Sequence, residues 1–78
     1  MISVDLDKIK KLRKEKAITQ NEMAKKLGYK TDVGYHYLET GRCQIDAVQL
    51  AIIAHILGVP VSHLYIYDSA TGTEGAKP

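Results

Sequence analysis

Two four-residue segments, Thr19-Gln20-Asn21-Glu22 and Asp46-Ala47-Val48-Gln49, do more than any other feature to restrict the fold of this chain. In each, a side-chain oxygen stands three residues before a Glu or Gln. This is the capping box, in which the first side chain accepts the amide of the fourth residue and the fourth side chain accepts the amide of the first. Two helix starts are thereby marked, and two stops are marked as well. Gly28 follows Met23, Ala24 and Leu27, and Gly58 follows Leu50, Ala51, Ile52, Ile53, Ala54, Ile56 and Leu57; glycine enters the left-handed conformation that ends helices. The helix opened by Thr19 is short, whereas the one opened by Asp46 is apolar nearly all round and is expected at the centre of the core.

Three further segments complete the pattern. Over residues 5–16, Leu6, Ile9 and Leu12 recur every three positions amid charge, which predicts an amphipathic helix with Asp5 or Asp7 at its positive end and a lysine-rich outer face. Thr31 can cap a segment over residues 32–39 that carries Tyr35 and Leu38 three apart and stops at Gly41. Propensity alone leaves that segment open, because Val33-Gly34-Tyr35-His36-Tyr37 also suits a strand. Pro60 suits the first turn of a last helix over residues 60–67, although Leu64-Tyr65-Ile66-Tyr67 keeps a terminal strand open. A domain over residues 5–67 is therefore expected, followed by a flexible C-terminal tail over 68–78, which is small and polar.

At 78 residues the chain has room for one small domain and none for a two-domain enzyme. The single cysteine, Cys43, cannot form an internal disulfide. No Cys/His spacing matches a zinc site, so no metal or other cofactor is expected. No apolar stretch is long enough to span a bilayer, and Met1 to Asp5 has no signal-peptide character, which points to the cytoplasm. The net charge of +2 conceals an asymmetry: residues 1–31 hold nine Lys/Arg against four Asp/Glu, and residues 32–78 hold two against five. A basic half attracts polyanions, although lysines on a helix also serve simply as its solvated face. Five short helices leave no room for a pocket that assembles a nucleophile, a base and an orienting group, so enzyme chemistry is not expected.

Leu12-Arg13, Thr19-Gln20-x-x-Met23-Ala24-x-x-Leu27-Gly28, Leu38-Glu39-x-Gly41, Leu50-x-x-Ile53-Ala54-x-x-Leu57-Gly58-Val59 and Leu64 stand in order and at nearly the right spacing. Together they resemble the phage-repressor and Cro family, also called the Xre family, of bacterial helix-turn-helix regulators. The resemblance runs from about Leu6 to Tyr65. It implies an all-α fold of five short helices like that of lambda repressor, with residues 32–39 as the recognition helix and Tyr35 and Leu38 at buried positions.

The same resemblance implies site roles. Arg13 and Glu39 match a structural ion pair. Asp32, Val33 and Tyr37, with Thr31 and His36 at the margin, match base-reading positions. Gln20 sits where a helix N-terminus holds a phosphate, and Lys30, Thr40, Arg42 and Gln44 match backbone contacts. The turn before residue 32 is one residue longer than the family's usual pattern, and the recognition segment has no Arg, Lys, Asn or Gln, the usual bidentate donors to guanine and adenine.

The implied function is that of a DNA-binding transcriptional regulator, a repressor, that holds a palindromic double-stranded operator as a homodimer through Val61, Tyr65 and Tyr67. The alternative is an antitoxin-like or anti-repressor-like module that keeps the fold and binds a protein partner. Tyrosines on the recognition segment favour the alternative, because tyrosine is enriched at protein interfaces.

Overall fold

The computed structural model describes residues 2–67, and the expected tail lies outside the described residues. Asp5 opens the first helix, α1 (Leu6–Glu15), by accepting the Lys8 amide at 3.0 Å. Ile9 and Arg13 face inward from it. The helix ends in a tight reversal through Ala17 (φ 56°), where the Ala17 amide donates to Lys14 and the Ile18 amide to Arg13. Both capping boxes form with both of their hydrogen bonds, opening α2 (Gln20–Lys26) and α4 (Ala47–Leu57). Between them lies α3 (Asp32–Thr40), and the most extensive helix-to-helix packing is that of α2 on α3.

The segment left open by propensity is thus a helix, and its internal glycine has a steric reason. A methyl group at Gly34 would lie 2.5 Å from the ring of Tyr29, so the ring of the turn residue packs directly on the α3 backbone. The Tyr29 hydroxyl also accepts a hydrogen bond from Nε2 of Gln49 at 2.8 Å. Oε1 of that same Gln49 accepts the Asp46 amide in the α4 capping box. The turn, α3 and the start of α4 are therefore joined through one side chain, in a way that no local pattern announces.

The last helix expected over residues 60–67 does not form. Pro60 is extended (φ −64°, ψ 146°), Val61–Leu64 makes a 3₁₀ turn, and a strand follows. That strand, β2 (Tyr65–Tyr67), pairs antiparallel with β1 (Ile2–Val4), Ile2 opposite Tyr67 and Val4 opposite Tyr65. Two things favour this outcome. The Leu64 carbonyl accepts the Asp5 amide at 2.7 Å, which draws the chain alongside β1. Tyr65, Ile66 and Tyr67 are also aromatic and β-branched side chains that suit a pleated ribbon. Among the described residues the fold is accordingly four α-helices with a small ribbon, a helical domain with one helix fewer than expected.

The core comprises Ile9, Met23, Ala24, Tyr35, Leu38, Leu50, Ile53, Ala54, Leu57 and Leu64. The largest share comes from α4, but that helix is not enclosed: Val48 is 69% exposed, and Ala47, Ala51 and His55 are also on the outside. A domain this small has too little chain to cover a helix on every side.

Alanine is ordinarily better than glycine inside a helix by about 1 kcal/mol. Here Gly34→Ala is expected to destabilise the protein by about 1–3 kcal/mol, the usual cost of overpacking. In a Tyr29→Ala background the same change should be neutral or stabilising, which a denaturant double-mutant cycle will read. Equal effects in the two backgrounds would contradict the steric account.

Candidate nucleic-acid interface

At the junction of α1, α2 and α3 sits a buried charge. Glu39, 7% exposed, accepts two parallel hydrogen bonds from Arg13, Nε to Oε2 at 2.9 Å and Nη2 to Oε1 at 3.0 Å. Arg13 is as deeply buried, and its remaining Nη1 donates to the Ile18 carbonyl at 2.8 Å. Tyr35, one turn before Glu39, donates its hydroxyl to Oε2 at 2.7 Å, and Gln20 donates Nε2 to Oε1 at 3.1 Å. Each carboxylate oxygen thus accepts two donors, the condition under which an ion pair can be buried.

The electrostatics follow from this geometry. Burial alone would raise the Glu39 carboxyl, but the hydrogen bonds from Arg13, Tyr35 and Gln20 outweigh it and hold the group below the usual carboxylate range. The hydrogen bond from Arg13 to Glu39 correspondingly raises the guanidinium. Burial, then the bond to Glu39, pushes the Tyr35 phenol up and keeps it a donor. In the exposed capping box, the Thr19 backbone and hydroxyl bonds lower Glu22.

The structure brings Arg13 and Glu39 together at the expected positions. It also shows two members of the cluster that sequence reasoning missed. Tyr35 is fully buried, as its core position implies, but its hydroxyl bond to Glu39 goes beyond that role. The signal was present: Tyr35 and Glu39 are i and i+4, neighbours on one helix face, and a buried tyrosine hydroxyl needs a partner. Gln20 stands at the helix start expected to hold a phosphate, yet its side-chain amide points inward to Glu39, which leaves its main chain as the part that can meet an anion.

With Tyr35, Leu38 and Glu39 turned inward, the outer side of α3 carries Asp32, Val33, His36 and Thr40, with Tyr37 half-buried. Thr31 caps the helix without a side-chain hydrogen bond. Exposed cations flank the helix, Lys30 before it and Arg42 after it, and Gln44 follows in the loop. The Thr40 hydroxyl donates back to the His36 carbonyl at 2.9 Å. Gly41 takes φ 84°, which turns the chain so that the Arg42 amide donates to the Tyr37 carbonyl at 2.9 Å. The Arg42 guanidinium lies over the Tyr37 ring, 5.0 Å from its centroid.

This is a short helix packed on a second helix across a glycine-containing turn, with one face offered to solvent. A family model described as helix-turn-helix matches residues 9–64, which takes in every residue of the buried cluster and the whole of α2 and α3. The chain belongs to the phage-repressor and Cro helix-turn-helix family. No curated protein matches it. In this helix-turn-helix domain the ion pair fixes α3 against α1 and α2, so the elements that carry the exposed face are held by the cluster behind it. The family is one of DNA-binding regulators, and in a helix-turn-helix the second helix is the one that enters the major groove. Among the described residues no group of three or more His, Cys, Asp and Glu side chains could hold a metal ion, and no helix is long and apolar enough to cross a membrane.

Removing one partner of such a pair leaves a buried charge stranded. Glu39→Ala is therefore expected to cost about 3–5 kcal/mol in chemical denaturation. Glu39→Gln gives the sign of the pH effect. The folded carboxyl releases its proton more readily than the unfolded one, so its contribution is complete above about pH 4.3, the ordinary glutamate value, and fades as pH falls through the lowered folded value. The stability gap between wild type and Glu39→Gln should narrow on acidification through this window. A gap independent of pH would contradict the charged cluster.

Proposed function

We propose that this helix-turn-helix protein is a transcriptional repressor that grips a palindromic operator as a homodimer in the cytoplasm. The observation that carries the reading is the buried Arg13–Glu39 cluster, which holds α3 with Asp32, Val33, His36 and Tyr37 outward. In the groove, Asp32 would accept from cytosine N4, Val33 would pack on a thymine methyl, and Tyr37 would meet a base edge, with Thr31 and His36 beside them. Lys30, Thr40 and Gln44, together with the main chain at Gln20, would contact the sugar-phosphate backbone on either side.

A single recognition helix reads only a few base pairs, and two copies about 34 Å apart gain both affinity and register. Support for the dimer comes from the ribbon and the turn that leads to it. Ile2, Val61, Ile66 and Tyr67 are exposed there, Tyr65 is half-buried, and neither strand carries a charge to discourage pairing. A second reading, a module that binds a protein, is favoured by one observation: α3 has no Arg, Lys, Asn or Gln.

Titration of wild type and Lys30→Ala with duplex DNA at several salt concentrations separates the two readings. A lost phosphate contact weakens binding uniformly across sequences and reduces the salt slope by about one. An unchanged slope would remove Lys30 from the interface. Wild-type binding that disappears at modest salt with no sequence preference would favour the protein-binding reading.

A further inference from the structure

Guanine presents two acceptors, O6 and N7, on its major-groove edge, and the rigid planar fork of an arginine guanidinium matches both at once, a fit that the point charge of a lysine on its flexible stem does not fix. No residue of α3 can do this. The missing donor stands just outside the helix. Arg42 lies two residues beyond α3, yet its guanidinium returns to cover the ring of Tyr37, at 5.0 Å from the centroid.

The backbone is built for that return. Gly41 adopts φ 84°, and the amides of both Arg42 and Cys43 donate to the Tyr37 carbonyl, at 2.9 and 3.1 Å. The residue whose ring carries the guanidinium therefore also anchors the main chain that delivers it. A guanidinium held over a ring by cation–π attraction forms no hydrogen bond to it and keeps its N–H donors for another partner. Among the described residues Arg42 is in no ion pair that would claim them. An arginine braced on a ring has also lost part of the freedom that binding would otherwise cost.

We propose that Arg42, braced on Tyr37, reads a guanine at the base edge, so that discrimination of a G·C pair comes from the loop after α3 instead of from α3 itself. This rests on the DNA-binding reading and moves Arg42 from the backbone contact expected from the sequence to a base contact. Tyr37 then acts as a positioning residue for Arg42 through its ring, whatever its hydroxyl touches.

The test is selection from a pool of duplex DNA with a random core, run with wild type, Arg42→Lys, Tyr37→Phe and Tyr37→Leu, each checked for folding by thermal denaturation. The wild-type motif should contain a G·C pair that Arg42→Lys no longer requires, a loss of about 5- to 150-fold in discrimination at that position. The salt slope should stay the same, because lysine keeps the charge. Tyr37→Phe keeps the ring and should keep the preference, whereas Tyr37→Leu should relax the same position as Arg42→Lys. A wild-type motif that Arg42→Lys reproduces, with affinity reduced evenly over all sequences, would overturn the proposal and leave DNA binding intact. Preservation of that position by Tyr37→Leu would overturn the bracing. A wild-type selection that yields no motif would overturn the proposal together with the reading beneath it.

Discussion

One buried carboxylate organises this domain. Glu39 sits where α1, α2 and α3 meet, and taking its charge out of water costs several kcal/mol before any partner is counted. Four donors offset that cost: two from Arg13 on α1, one from Gln20 on α2 and one from Tyr35 on α3 itself. Because the donors come from three helices, the carboxylate is satisfied in only one arrangement of them. A fully apolar junction would add comparable stability with less constraint on geometry, since dispersion contacts tolerate sliding and bidentate hydrogen bonds do not.

The consequence reaches the outer surface through α3. Tyr35, Leu38 and Glu39 take the inner side, so the rotation of the helix is set and the side chains of Asp32, Val33 and His36 are left outward. The tilt at the other end is held differently, by the Tyr29 ring against Gly34 and the Tyr29 hydroxyl bonded to Gln49. Polar bonds thus pin the C-terminal end of α3 and a steric contact pins its N-terminal half. Between the two, a nine-residue helix in a domain with a ten-residue buried apolar core gains a defined pose. A recognition element needs this, because groups misplaced by an ångström lose the hydrogen bonds that discriminate bases.

What the sequence made legible was local. Thr19 with Glu22 and Asp46 with Gln49 sit three residues apart, so their bonds form wherever the helix forms, and the helix starts could be read directly. Gly41 and Gly58 ended helices with positive φ as their positions implied. Arg13 and Glu39, 26 residues apart, were paired through family resemblance alone, since no spacing rule joins them. What stayed hidden was non-local. The ribbon pairs residues near the two ends of the described residues, so the run after Leu64 reads locally as the continuation of a helix, with a strand only as the alternative, and it is the pairing with Ile2 to Val4 that makes it a strand. Gly34 looked like a helix defect because the ring that explains it belongs to the turn. Gln20 opens a helix whose free amides suit a phosphate, and the buried acceptor that draws its side chain inward instead lies 19 residues away. The outer face of α4 was read as core because composition cannot tell how much chain is left to cover it.

In the proposed function the outward side of α3, together with the loop that follows it, is the surface that meets DNA. Amide chemical-shift mapping of isotope-labelled protein against a selected duplex tests it most directly. The largest shifts are expected over residues 30–37 and 40–44, with much smaller ones at Val48, Ala51 and His55 on the outer face of α4. Shifts centred on that face of α4, with residues 30–44 unmoved, would contradict it.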